Sequence, residues 1–196
     1  RLQGVLDLAR VPYTGSGAHA SALALNKPYC QAVLNAAGLP IARSVAVGPG
    51  GADLDQIIHT IGLPLVVKPA RGGSSVGVTI VREREKLAEA LELGLSVDDS
   101  VLVEQFVGGR ELTCGVLEIN GEPTALPVTE IIPPEGRFFD YESKYEPGMS
   151  REITPADLDK ELSRGIRRIA RQAHLTLSCR GFSRVDFILS PTGKLV

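Results

Sequence analysis

The sequence predicts a layered α+β or α/β domain. Three observations carry that prediction. Short β-rich apolar runs alternate with segments of helical period. Start and stop residues (Asn26, Gly38, Asp53, Gly62) punctuate the helical segments. The pair Asn120-Gly121 lies between two strand-like runs, a hairpin signal.

In order, Leu2, Val5, Leu6, Leu8 and Ala9 read as part of a helix. Asn26 can cap a helix running to Ala37, with Pro28 in its first turn and Gly38 beyond its end. Val33, Leu34 and Ala37 give it an apolar face. Asp53 starts a short helix that Gly62 stops. Strands follow at 63–68 and 76–81, separated by a small-residue loop. Helical period returns from Glu83 to Leu95, with Leu87, Ala90 and Leu91 on one side. Strands follow at 101–106, 111–119 and 124–132. Residues 133–150 carry Pro, Gly and charge with little periodicity and read as a long loop, a kind of segment that is usually functional or disordered. Thr154 is expected to cap a long helix, with Pro155 at its first position and Asp157 in the first turn. Its stripe is Leu158, Leu162, Ile166, Ile169, Ala170 and Ala173. Arg164, Arg167, Arg168 and Arg171 read as a solvated outer face rather than a nucleic-acid surface. A last strand spans 182–189.

Composition narrows the classes. The chain has 196 residues, 43% hydrophobic and 22% charged, enough for one sizeable core or two small ones. A formal net charge of −2 gives no global pull toward nucleic acid or an anionic membrane. No apolar run approaches the roughly 18 residues that cross a bilayer, and no secretory leader opens the sequence. Cys30, Cys114 and Cys179 are far apart and form no CxxC pair, so they read as reduced thiols filling small core spaces. Together these points favour the cytosol. The sequence begins on Arg1 inside a helical pattern and stops at Val196 after a Pro/Gly turn. Both ends read as cut from a longer protein.

Four segments can carry chemistry. Leu65, Val66 and Val67 lead to Lys68, and Gly72, Gly73, Ser74, Ser75 and Gly77 follow. Backbone amides gathered in such a loop make a concave anion site, and a strand-end lysine adds compact positive charge. No GxxxxGK[ST] is present and no helix follows the glycines, so the loop would fold over phosphates as a flap. A plain structural hairpin has a similar sequence. In the second segment, Val101 to Glu111, apolar residues lead into Glu104, and Glu111 follows Gly108-Gly109. An apolar slot with backbone donors suits a purine, and a carboxylate suits a ribose; two exposed hairpin carboxylates would read the same way. The third segment, Phe138 to Tyr145, crowds aromatics around Lys144 inside the long loop. It would either close over a substrate and exclude water or form a satellite apolar cluster. In the fourth, Arg184 and Asp186 share one face of a strand. They could hold a phosphoryl group and Mg²⁺, or simply pair with each other.

In order and spacing these segments resemble the D-alanine–D-alanine ligases, members of the ATP-grasp superfamily. The resemblance covers nearly the whole chain: Tyr13-Thr-Gly-Ser-Gly17, Ser21 to Lys27, the Lys68 to Gly77 block, Phe139-Asp-Tyr-Glu-Ser-Lys-Tyr145, and Arg180-Gly-Phe-Ser-Arg-Val-Asp186. It implies an α+β fold of two antiparallel or mixed sheets enclosing a nucleotide cleft. Residues 1–20 would be a remnant of an N-terminal substrate-binding domain, 21–103 the central subdomain with the phosphate loop, and 104–196 a truncated C-terminal subdomain with the mobile loop 133–150.

By similarity, Lys27 and Lys68 would hold the α- and β-phosphates of ATP, Ser74 and Ser75 would cover them, and Lys144 would reach the γ-phosphate. Glu104, Gln105, Phe106 and Val107 would line the adenine slot, with Glu111 at the ribose. Arg184 would stabilise the transferring phosphoryl group and Asp186 would bind one Mg²⁺ (or Mn²⁺). Ser74 and Tyr145 would join a hydrogen-bonded group at the first substrate. The implied reaction joins two D-alanines through an acyl phosphate, for peptidoglycan precursors, in a homodimer that engages neither nucleic acid nor membrane.

Three departures stand out. The family's N-terminal domain is almost wholly missing before Arg1. Its Glu-x-Asn metal ligands would lie past Val196. Phe139 stands where many relatives have Tyr. Retention of Lys144-Tyr145 favours a dipeptide over a depsipeptide product and leaves D-serine open as acceptor. The competing readings are an ATP-grasp ligase with another acceptor, and a nucleotide-binding module without turnover.

Overall fold

The computed structural model describes residues 2–73, 76–133 and 151–196. The expectations for Ser74, Ser75, Phe139, Lys144 and Tyr145 lie outside the described residues. Three helices open the chain: α1 (Leu2–Leu8), α2 (Ala18–Leu25) and α3 (Lys27–Ala36). Asn26 caps α3, its side chain accepting the Tyr29 N–H, and Pro28 sits in the first turn, as the sequence predicts. Helix α2 is an element the sequence reading passed over; its short run of Ala, Ser and Leu carries almost no amphipathic signal.

The first sheet contains β1 (Ser44–Val47), β2 (Leu65–Pro69), β3 (Thr79–Val81) and β4 (Val101–Gln105), in the order β1-β4-β2-β3 and antiparallel throughout. Helix α4 (Leu54–Ile61) starts on Asp53, whose carboxylate accepts the N–H groups of Asp55 and Gln56. Helix α5 (Leu87–Val97) follows a 3₁₀ turn at Arg84–Lys86. Both helices cover one face of this sheet. Ile57, Ile61, Leu87 and Leu91 meet Leu65, Val67, Val101 and Val103 in one buried cluster. Side chains alternate across a strand, so Lys68 and Glu104 point to the opposite face. Gly94 brings α5 close to the sheet; a Cβ there would lie 2.6 Å from Val101 Cγ1 and 3.3 Å from Val67 Cγ1.

The second sheet is built around the long β5 (Arg110–Ile119). Strand β9 (Phe182–Leu189) pairs along its 110–117 stretch. The other edge takes β6 (Glu122–Ala125) and then β7 (Thr129–Ile132), and β8 (Arg151–Ile153) adds to β7. The sequence predicts one strand over 124–132; two are found. Partner numbers sum to 241 along β6 (Val116 with Ala125) and to 242 along β7 (Thr113 with Thr129), so one extra residue is inserted around Pro127. Proline has no N–H for the ladder.

The last helix, α6 (Lys160–Thr176), starts later than the sequence predicts. Asp159 is its cap, accepting from the N–H groups of Glu161 and Leu162. The Ala156 N–H bonds the Val128 carbonyl instead, which holds 154–158 in the loop. Ile166 and Ala170 of α6 join Leu112, Cys114, Val116 and Phe187 in a second buried cluster, separate from the first. Arg167 and Arg171 are not a free solvated face. Arg167 donates to the Ala125 carbonyl at 2.6 Å and Arg171 to that of Pro123 at 3.0 Å, which ties the helix to β6.

The cysteines are all free thiols, but only Cys114 is buried. Cys30 and Cys179 are half-buried, so the core-filling reading holds for Cys114 alone. Ser16 reaches across to the turn before β9, its hydroxyl accepting the Arg180 N–H at 3.1 Å. Among the described residues no helix is long and apolar enough to cross a membrane.

Candidate active site

The two sheets turn their polar faces toward each other. Between them lies a cavity of about 460 Å³. Its first wall carries Lys68, held near the end of β2 by the buried Leu65, Val66 and Val67. Lys68 Nζ sits 3.2 Å from Glu104 Oε1, a diagonal neighbour on β4. Gln31 Nε2 of α3 donates to Glu104 Oε2 at 2.9 Å, and the Ser44 hydroxyl donates to Gln31 Oε1 at 2.7 Å. Both Glu104 oxygens are therefore engaged with protein groups.

Lys27, the first residue of α3, lies where the strand gives way to the glycine loop. Its Nζ donates to the Pro69 carbonyl at 2.8 Å and the Gly72 carbonyl at 3.0 Å, and its N–H to that of Ala70 at 2.9 Å. Burial, and then the nearby Lys68 charge, push the Lys27 ammonium below the usual lysine range. Two cations held in one cleft, one of them partly desolvated, are arranged to receive an anion.

The second wall is β9 against β5. Arg184 grips Asp186 with two bonds, Nε to Oδ1 at 2.9 Å and Nη2 to Oδ2 at 3.0 Å. The shared strand face predicted from sequence is present, and so is the ion pair that was its plainer reading. Both side chains stay mostly exposed to the cleft. Glu111 lines the same cavity from β5, and Phe106 and Val107 line it from the connection between the sheets. Arg82 stacks over the Phe106 ring, 5.6 Å from its centroid.

All the described residues singled out from sequence thus converge on one cavity: Lys27 and Lys68 on one side, residues 104–107 at the join, and Glu111, Arg184 and Asp186 on the other. A larger space of about 580 Å³ adjoins it and shares Lys68, Glu104, Arg184 and Asp186. Among the described residues no group of three His, Cys, Asp or Glu side chains could hold a metal ion alone.

The family model for the D-ala D-ala ligase C-terminus matches residues 33–196. The chain belongs to that family. It is 47% identical over 191 residues to the D-alanine–D-alanine ligase of Syntrophobacter fumaroxidans, covering 96% of this chain and 61% of that protein. Among solved structures, the VanG D-Ala:D-Ser ligase of Enterococcus faecalis superposes with a TM-score of 0.88 at 36% identity, covering 100% of this chain and 57% of that one. The D-alanine–D-alanine ligase of Coxiella burnetii gives 0.85 at 30%, covering 100% and 52%. The chain spans about 60% of the length of the curated relatives it matches. The two-sheet α+β architecture is the ATP-grasp fold of these ligases.

Within this family member's site, the structure adds three residues that sequence reasoning missed. Thr113 Oγ1 donates to Asp186 Oδ1 at 2.7 Å, because the two are register partners on β5 and β9. Gln31 supports Glu104, and Glu152 of β8 lines the adjoining space. All three depend on long-range pairing, and no local pattern marks them.

Proposed function

We propose that this chain carries the nucleotide site and much of the catalytic site of an ATP-dependent D-alanine–D-alanine ligase. The observation that carries the reading is the convergence of Lys27, Lys68, Arg184 and Asp186 on one cleft between two sheets. An unactivated carboxylate is a poor electrophile and its anion repels a triphosphate. Gathered cations and fixed positions lower that barrier.

In the proposed reaction, a carboxylate oxygen of the first D-alanine attacks the γ-phosphorus of ATP and ADP leaves. The amine of the second D-alanine then attacks the acyl carbonyl, loses a proton and expels phosphate. Lys27 and Lys68 would hold phosphate oxygens; Lys68 would exchange its Glu104 contact for them. Phe106 and Val107 would flank the adenine with Glu104 and Gln105 beside it, and Glu111 would take the ribose. Arg184 would stabilise the phosphoryl group in transfer. Ser74, Ser75, Lys144 and Tyr145 keep the roles that the resemblance implies, as do the three-part division of the chain at residues 20 and 103, the cytosolic setting and the homodimer.

The donor set fits a Mg²⁺ (or Mn²⁺) that is shared with phosphates. Asp186 offers a carboxylate on the cleft face, oriented by Thr113, and magnesium needs only one or two carboxylates when phosphate oxygens and water complete its shell. Bound there, the ion would neutralise charge on the phosphates.

The 36% identity to a D-Ala:D-Ser ligase, with superposition over 100% of this chain and 57% of that one, supports D-serine as the alternative acceptor. Phosphate release is measured on the full-length protein with ATP, D-alanine and a second acceptor: D-alanine, D-serine or D-lactate. Saturating release with D-alanine alone is expected. Turnover only with D-serine or D-lactate overturns the acceptor assignment. ATP binding without ADP formation under any condition overturns the enzyme reading in favour of a binding module.

A further inference from the structure

The root of the glycine–serine loop is gripped from two sides. Lys27 holds the carbonyls of Pro69, Ala70 and Gly72. From the other side comes a corner at the end of α5, Val97-Asp98-Asp99. Asp98 accepts the Arg71 N–H through Oδ2 at 2.6 Å and the Arg71 guanidinium through Oδ1 at 2.7 Å. Asp99 forms an ion pair with the same guanidinium. The returning arm of the loop rests on this corner too. Gly77, at φ +70°, lies so close that a Cβ would sit 3.1 Å from Val97 Cγ2 and 2.9 Å from Pro69 Cγ. Both arms are therefore seated on one corner.

That corner is a locally poor choice. A carboxylate at a helix C-terminus faces the negative end of the helix dipole. The Asp98 side chain is also only 7% exposed, where an unpaired charge is costly. Arg71 repays both by supplying the counter-charge, and it lies immediately before Gly72. A local rule broken and compensated next to a site is where function is expected.

We propose that the Val97–Asp99 corner is a positioning element for the phosphate site, with Asp98 fixing the outgoing arm through Arg71 and Val97 seating Gly77 of the returning arm, so that the Gly72 and Gly73 amides and the Lys27 ammonium are set before nucleotide arrives. Asp98 touches no substrate; it acts through Arg71. The inference rests on the nucleotide reading above. Preset arms lose less freedom on binding, so the benefit goes to the phosphate contacts and not to the base.

The test compares ADP with adenosine by calorimetry on the full-length protein, native and with Asp98→Ala or Asp98→Asn. The expected result is about tenfold weaker ADP binding in Asp98→Ala. A smaller loss is expected in Asp98→Asn, which keeps an acceptor for the Arg71 N–H. Adenosine affinity should be unchanged in both. Equal weakening of ADP and adenosine, or unchanged ADP affinity, overturns the positioning role. If Asp98→Ala does not fold, Asp98→Asn and Arg71→Lys decide by the same criterion. If the native protein binds ADP no better than adenosine, the phosphate site itself is wrong and this inference falls with it.

Discussion

Two glycines inside helices make a matched experiment on how α5 is seated. Gly94 of α5 and Gly165 of α6 are both helix-interior residues. Replacing either with Ala gains about 1 kcal/mol of helix propensity. Only the surroundings differ. Gly165 has open space where a Cβ would go. At Gly94 that Cβ would press on Val101 and Val67, both fully buried and both β-branched, with little rotamer freedom to yield. Overpacking of this kind costs about 1–3 kcal/mol. Steric cost therefore equals or exceeds propensity at Gly94, and the net effect runs from near zero to about 2 kcal/mol of destabilisation. Gly165→Ala should stabilise by about 1 kcal/mol. The propensity gain cancels in the comparison, so the gap between the variants reports the packing alone, about 1–3 kcal/mol. Urea unfolding of both variants measures it, provided the slope with denaturant stays constant. If Gly94→Ala raises the midpoint as far as Gly165→Ala does, the close seating of α5 on β2 and β4 is wrong.

Three further outcomes are expected. Under the proposed ligase reaction, Arg184→Ala should lower kcat of the full-length protein by about 10²–10³, or 2.7–4 kcal/mol, the scale for losing one preorganised stabiliser; a near-native kcat in steady-state assays would remove Arg184 from the chemistry. Thr113→Val removes the hydroxyl that orients Asp186. It should raise the Mg²⁺ needed for half-maximal rate by about 10–100-fold with the fold intact, a shift read from a metal titration. The third outcome concerns acid. The Arg71 hydrogen bond holds the Asp98 carboxyl down at about 2. A carboxyl depressed by folding adds stability above the usual carboxylate range and loses it as pH falls from about 4 toward 2. That contribution is about 2 kcal/mol at most. Thermal melts across that window should show the native protein losing its advantage over Asp98→Asn; a constant difference would contradict the pairing.

What the sequence revealed depended on how local each signal was. Asn26 and Asp53 cap their helices through their own next few residues, and both were legible. Thr154 and Pro155 also form a plausible local start, yet the bond from Ala156 to Val128 moves the helix to Asp159. A tertiary contact overrode a local preference there. Strand β1 spans four residues and β8 three, too short for a periodic pattern to declare itself. Arg167 and Arg171 resemble any solvated helix face until β6 supplies two carbonyls. In the site, alternation along β9 was enough to put Arg184 beside Asp186. Nothing short of the β5–β9 register could add Thr113.

The cavity's two walls rest on apolar clusters that have no residue in common. Each wall is therefore anchored in an interior of its own. A cavity-creating change under Lys68 leaves the footing of Arg184 untouched, and the reverse holds as well. Paired substitutions, one in each interior, should have energies that simply sum. Phosphate grip and phosphoryl stabilisation can then be weakened one at a time, as separate faults in one machine.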